Sequence, residues 1–202
     1  MARGAIRYFL DRMGPEDEAA LFVFAEGSVD VIADFTRDRR AITDGLLSRE
    51  GYGQTALIDA VARAPKLVPR SANQRGAILL FSDGVDNISN LSVEQALDLA
   101  RRTEVPVYSV GILDRQEARR RAKGAEALRE FSRETGGEAF FADDFYQINR
   151  ASRLIAQELK QAYVLGYYPS PGSHSVRVEA SCRGCVVSSR QGLYASGADG
   201  GD

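Results

Sequence analysis

The sequence is short of the residues that most catalytic chemistries require. One histidine, His174, and two cysteines, Cys182 and Cys185, stand among 202 residues. A Ser-His-Asp triad would have to use His174, and no Gly-x-Ser-x-Gly elbow accompanies it. The stretch Gly51-Tyr52-Gly53-Gln54-Thr55 lacks the lysine of a phosphate-binding loop, and no Gly-x-Gly-x-x-Gly follows an apolar run. Two cysteines are too few for a disulfide scaffold. A basic excess is missing as well. Lys and Arg number 26 against 28 Asp and Glu, a net charge of −2, whereas a nucleic-acid surface needs positive charge to meet phosphates. The one arginine run, Arg119-Arg120-Arg121, lies among Glu117, Glu126 and Glu130 and reads as a solvated helix face. No apolar stretch approaches the roughly 18 residues of a membrane span. Met1-Ala2-Arg3-Gly4 leads straight into an amphipathic pattern, with no signal-peptide core in these residues.

What is present is enough apolar sequence, 44% of the chain, to build a sizeable core. Ala2, Ile6, Phe9, Leu10 and Met13 share one face at helical spacing, and Gly14-Pro15 ends that helix. Residues 19–24 form a continuous apolar run, as expected of a strand covered on both faces. Val29 to Phe35 alternates and reads as the edge strand of a hairpin. Helices are expected over 37–47 and 56–68, with a buried strand from Gly76 to Phe81 after them. Ser92 with Gln95 three residues on makes a capping box ahead of Ala96, Leu97 and Leu99. A third buried strand is expected at Val105 to Ile112, a helix over 117–135 ended by Gly136-Gly137, a short strand at 138–141 and a helix over 143–161. Strand–helix alternation predicts a doubly wound, mostly parallel α/β sheet with right-handed crossovers. The expected domain covers 1–163. Residues 164–195 read as a small antiparallel β appendage, drawn from the alternation at 176–180 and Val186-Val187, and 196–202 as a disordered tail.

Ligands of such sheets bind at the carboxyl ends of the strands. Two polar clusters fall there: residues 51–55, feeding a helix, and Ser82-Asp83-Gly84-Val85-Asp86-Asn87, after the most apolar strand. Hydroxyl and carboxylate oxygens there suit a hard cation such as Mg²⁺. The plainer readings are that Thr55 is the N-cap of the next helix, that Asp83 caps its own loop, and that Asp86 and Asn87 are turn residues. Cys182-Arg183-Gly184-Cys185 flanks a two-residue turn, whose ends lie close enough for a disulfide. It forms a hairpin disulfide if the protein is exported and two inert thiols otherwise.

Gly-Gln-Thr-Ala-Leu-Ile-Asp-Ala (53–60), Ala-Ile-Leu-Leu-Phe-Ser-Asp-Gly-Val-Asp (77–86) and Val-Pro-Val-Tyr-Ser-Val-Gly-Ile (105–112) together resemble the von Willebrand factor type A domain. Tyr163 to Pro169 and Arg190 to Tyr194 resemble the tail of a bacterial, usually exported, branch of it. The resemblance implies an interaction module rather than an enzyme. Its metal-ion-dependent adhesion site would hold Mg²⁺ or another divalent cation and take a carboxylate from a protein partner. Thr55 and Asp83 match two of the metal-binding positions, with Gly53, Gln54, Gly84 and Asp86 around them, and the two glycines let backbone approach the ion.

The family's first strand carries Asp-x-Ser-x-Ser, and no such motif occurs here. That strand should precede the helix of Ile6 and Phe9 and lie between the strands at 19–24 and 76–81. The expectation is an incomplete site and two open strand edges prone to self-association. A start upstream of Met1, a shortened gene and a strand supplied by another chain remain as alternatives. Two further readings stay open: a Mg²⁺-dependent hydrolase using Asp83 and Asp86, and a structural remnant without a binding function.

Overall fold

The computed structural model describes residues 2–25, 28–48, 56–70, 76–82, 86, 88–102, 105–112, 118–163, 165–166, 168, 170, 172–185, 187–190 and 192–195. Helix α1 spans Ala2–Leu10, strand β1 Ala19–Ala25, β2 Ser28–Thr36, α2 Arg39–Ser48 and α3 Leu57–Arg63. A 3₁₀ turn, Ala64–Arg70, continues α3. Pro65 has no N–H to donate, so the regular α ladder gives way there. Then come β3 Ile78–Ser82, α4 Val93–Arg101, β4 Val107–Ile112, α5 Ala118–Thr135, β5 Ala139–Ala142 and α6 Phe145–Gln161. The antiparallel pair β6 Gly172–Ser175 and β7 Gly192–Ala195 follows.

Strands β3, β4 and β5 form a parallel sheet in that order, while β1 and β2 form a separate antiparallel pair. Alternate side chains of the parallel sheet go to opposite faces. Leu80 and Phe141 join Leu57, Val61, Ala96, Leu97, Leu128 and Phe131, so α3, α4 and α5 cover one face. Leu79, Phe81 and Phe140 join Phe9, Tyr108, Val110 and Ile155, so α1 and α6 cover the other. The result is a three-layer α/β sandwich. Helix α1 also touches α2, which packs on β1 and β2, so α1 links the hairpin to the main sheet.

Burial separates strands that look alike in sequence. Val107, Tyr108, Ser109, Val110 and Gly111 of β4 are all buried, as expected. Residues 19–24 and all of β3 are only half-buried, against the expectation of strands covered on both sides. Among the described residues each pairs along one edge only, and β1 and β3 are not hydrogen-bonded to each other.

Polar groups lock the layers together. The Ser132 and Ser109 hydroxyls, both fully buried, meet at 2.9 Å across the α5–β4 interface. The Val107 N–H donates to Thr135 Oγ1 at 2.9 Å. Helix α5 then ends in a Schellman turn: Gly137 N–H reaches the Ser132 carbonyl and Gly136 N–H the Arg133 carbonyl, with Gly136 at φ +88°. A side chain at Gly136 would press on the Arg190 backbone, its Cβ 2.8 Å from the Arg190 nitrogen. Arg190 in turn donates to the Arg101 carbonyl at the end of α4, and Ser188 contacts the Gly136 carbonyl.

An antiparallel pair lies within 164–195, as expected, but its strands are 172–175 and 192–195, and the alternating residues 176–180 form no strand. The alternation shows only in burial: Val176 and Val178 are half-buried, while Arg177 and Glu179 point into solvent as an exposed pair. The structure joins Cys182 and Cys185 across a turn in which Gly184 takes φ +80°.

Candidate interaction site at the strand ends

Five of the six residues marked for the site, Gly53, Gln54, Thr55, Asp83 and Gly84, lie outside the described residues. Their flanks are described and come together. Helix α3 has Ala56 as its N-cap, with no side-chain cap, so the capping role considered for Thr55 falls one residue later and goes unfilled by its own segment. The first turn nevertheless leaves N–H groups that need acceptors. The loop after β3 supplies them. Asp86 Oδ1 accepts the Ile58 N–H at 3.3 Å, and Ser89 Oγ accepts the Asp59 N–H at 3.1 Å. The Ser89 hydroxyl also donates to Asp86 Oδ1 at 2.6 Å. Asp86 is thus a cap acting across the fold rather than a free turn carboxylate. Ile58, three residues after Thr55, therefore meets Asp86, three residues after Asp83.

Asp59 strengthens the same junction. It is only 2% exposed, unusual for a carboxylate without good partners. Its oxygens accept the Leu91 N–H at 3.0 Å, the Asn90 N–H at 3.2 Å and the Asn90 side-chain amide at 3.3 Å, and Arg63 stands 3.8 Å away. Burial pushes its carboxyl pKa up. The Leu91 and Asn90 N–H groups, the Asn90 amide and Arg63 outweigh that, so the net position is below the usual carboxylate range. A charged Asp59 thus pins residues 89–91 against α3.

On the far side of the sheet, Glu158 of α6 has its carboxyl raised by burial and by the nearby Glu138 charge, with the Tyr108 hydroxyl acting the other way. Burial, then Glu158, raises the Tyr108 phenol. Glu158 Oε2 is buried without a hydrogen-bond partner. Among the described residues no group of three or more His, Cys, Asp or Glu side chains could hold a metal. His174 meets the Ser170 carbonyl within the appendage.

Residues 1–85 match the sequence profile of the von Willebrand factor type A domain. Solved structures agree along most of the chain. An aerotolerance-related membrane protein from Bacteroides fragilis superposes with a TM-score of 0.61 at 20% identity, over 80% of this chain and 87% of that one. A von Willebrand factor type A protein from Catenulispora acidiphila gives 0.64 at 16% identity, over 78% of this chain and 37% of that one. The chain has the fold of a von Willebrand factor type A domain. The pilus adhesin SpaC from Lactobacillus rhamnosus is similar in fold to this domain, with a TM-score of 0.61 at 12% identity, over 78% of this chain and 27% of that one. No curated protein sequence matches.

In this domain, reading the sequence alone passed over Asp59, Ser89 and Asn90. A signal was available for Asp59: a carboxylate amid Leu57, Ile58, Ala60 and Val61, where a solvated helix face would not put one. Nothing local announced Ser89 and Asn90, whose partners are some thirty positions away.

Proposed function

We propose that this domain is a protein-interaction module whose contact surface is the strand-end junction, where Thr55 and Asp83 hold a divalent cation that takes a carboxylate from the partner. The observation that carries this reading is the hydrogen bond from Ile58 to Asp86, reinforced by Asp59, because it fastens the flanks of both candidate ligands to one another. A hydroxyl and a carboxylate fit Mg²⁺ in kind. In number they leave most of its roughly six positions to water, partner or other oxygens. The ion would supply positive charge against the partner's carboxylate; the chain's own part is to keep the two loops in register. The hydrolase reading needs Asp86 as a second working carboxylate, and Asp86 already serves Ser89 and Ile58.

Calorimetric titration with Mg²⁺ and Mn²⁺ tests the proposal. Saturable binding that Thr55→Ala and Asp83→Ala both weaken is the expected result, and an undetectable heat with the unaltered chain would sink it. We also propose self-association through β1 and β3, supported by their one-sided pairing. Sedimentation velocity that shows one monomeric species at every concentration would end that idea.

A further inference from the structure

Helices α1 and α6 run side by side in the same direction. Phe145 at the start of α6 lies against Gly4, and the far ends of both helices line one cleft of about 210 Å³, between Arg12, Arg153, Ala156, Gln157 and Lys160. The exposed charges of α6 are all basic. Arg150, Arg153 and Lys160 are exposed, and neither they nor Arg12 pair with a carboxylate among the described residues. Elsewhere arginines do find acids: Arg37 with Glu16, Arg101 with Glu134 and Asp98, Arg177 with Glu179. A solvated helix face usually interleaves both signs at i,i+4 spacing. Here the nearby acids are Asp11, in the turn after α1, Asp143 and Asp144, which accept from Gln147 at the start of α6, and Glu158, half-buried and turned toward Tyr108.

Favourable placement at helix C-termini accounts for Lys160 and Arg12. It does not account for Arg150 and Arg153, which are more than a turn from the end of α6. Arg12 is also held ready. Its guanidinium donates to the Tyr8 carbonyl at 2.8 Å and stacks 3.3 Å from the centre of the Tyr8 ring. At the opposite end of the stripe Phe145 and Tyr146 are exposed, 54% and 76%. Arginine flanked by exposed aromatics is the composition of protein contact surfaces.

We infer that the α1/α6 face docks an acidic polypeptide segment, with side-chain carboxylates entering the Arg12–Arg153–Lys160 cleft and an apolar residue resting on Phe145 and Tyr146. Charge complementarity selects the occupant. A carboxylate side chain suits so small a cleft, while a long polyanion would meet the field of a chain whose net charge is −2. This surface is separate from the strand-end junction and needs no metal.

The test is fluorescence anisotropy with a labelled Glu-rich peptide ending in leucine, and its Gln-for-Glu counterpart, in excess chelator. Chelator removes the proposed metal contact, so failure of that reading leaves this one standing. Saturable binding of the acidic peptide alone is expected, weakening as salt rises. Arg153→Glu with Lys160→Glu should weaken it by at least about tenfold, while Arg177→Glu, the same change on the exposed appendage, should leave it in place. Should the double reversal not melt cooperatively, Arg150→Gln with Arg153→Gln reads the same effect with less strain. No saturable binding to the unaltered chain, an equal loss in Arg177→Glu, or tighter binding to phosphatidylserine vesicles than to the peptide would each overturn the inference.

Discussion

Strands β3 and β4 lie next to each other and are almost equally apolar, yet β4 is fully buried along five residues and β3 at none. Strand β1, with Leu21, Phe22 and Phe24, is half-buried too. The difference lies in the neighbours. Strand β4 has β3 on one edge and β5 on the other, with Leu128 and Ile155 among the helix residues on its faces. Among the described residues strands β1 and β3 each have one partner. A run of apolar residues states what a strand can bury; flanking strands decide what it does bury.

The largest test of this contrast sets Phe131 against Phe24. Phe131 is fully buried on α5, so Phe131→Ala should cost about 3–5 kcal/mol in urea unfolding, and Phe24→Ala on half-buried β1 about half that or less. Equal costs would mean that β1 is as well covered as the core under α5 in solution. Next comes Asp59→Ala, which strands the Leu91 and Asn90 N–H groups and should cost about 2–3 kcal/mol. Asp59→Asn, which keeps acceptors for them, should cost less. Because the folded-state pKa of Asp59 lies below its unfolded value, its contribution is present above the unfolded pKa and is lost as pH falls through the folded one. Acid titration of stability should therefore show a step below about pH 4 that Asp59→Asn flattens.

Ser92→Ala removes a capping box in which Ser92 and Gln95 each serve the other's backbone. It should cost about 1 kcal/mol, and a negligible change in thermal midpoint would show that α4 is held by Ala96 and Leu97 alone. The smallest effect is expected at Glu158. Its folded pKa lies above its unfolded value, so its contribution is full below the unfolded pKa and declines as pH rises through the folded one. Glu158→Gln should match the unaltered chain in acid and slightly exceed it at neutral pH. A variant less stable at neutral pH would show the carboxylate to be well accommodated.

Much of the architecture was open to a reading of residues. The alternation of strands and helices, the Ser92 box and the Gly136-Gly137 stop are local signals, each set by neighbours within five positions. The appendage lies where the residues put it, but its strands do not include 176–180, where Val176 and Val178 alternate with Arg177 and Glu179 in burial without pairing to a neighbour strand. The site resisted for a different reason. Asp86 reads as a turn residue from its neighbours and becomes a helix cap only through Ile58, twenty-eight positions earlier. Contacts of that range carry no mark in either segment alone.

Arg190, anchored on the Arg101 carbonyl, and Ser188, against Gly136, have a mechanical meaning. Tension applied to the chain beyond Ala195 first meets the pairing of β7 with β6 and then these anchors, on the ends of α4 and α5. A pull from that side is shared between the β6–β7 pair and two helix ends with the sheet beneath them, so it does not fall on α6 alone.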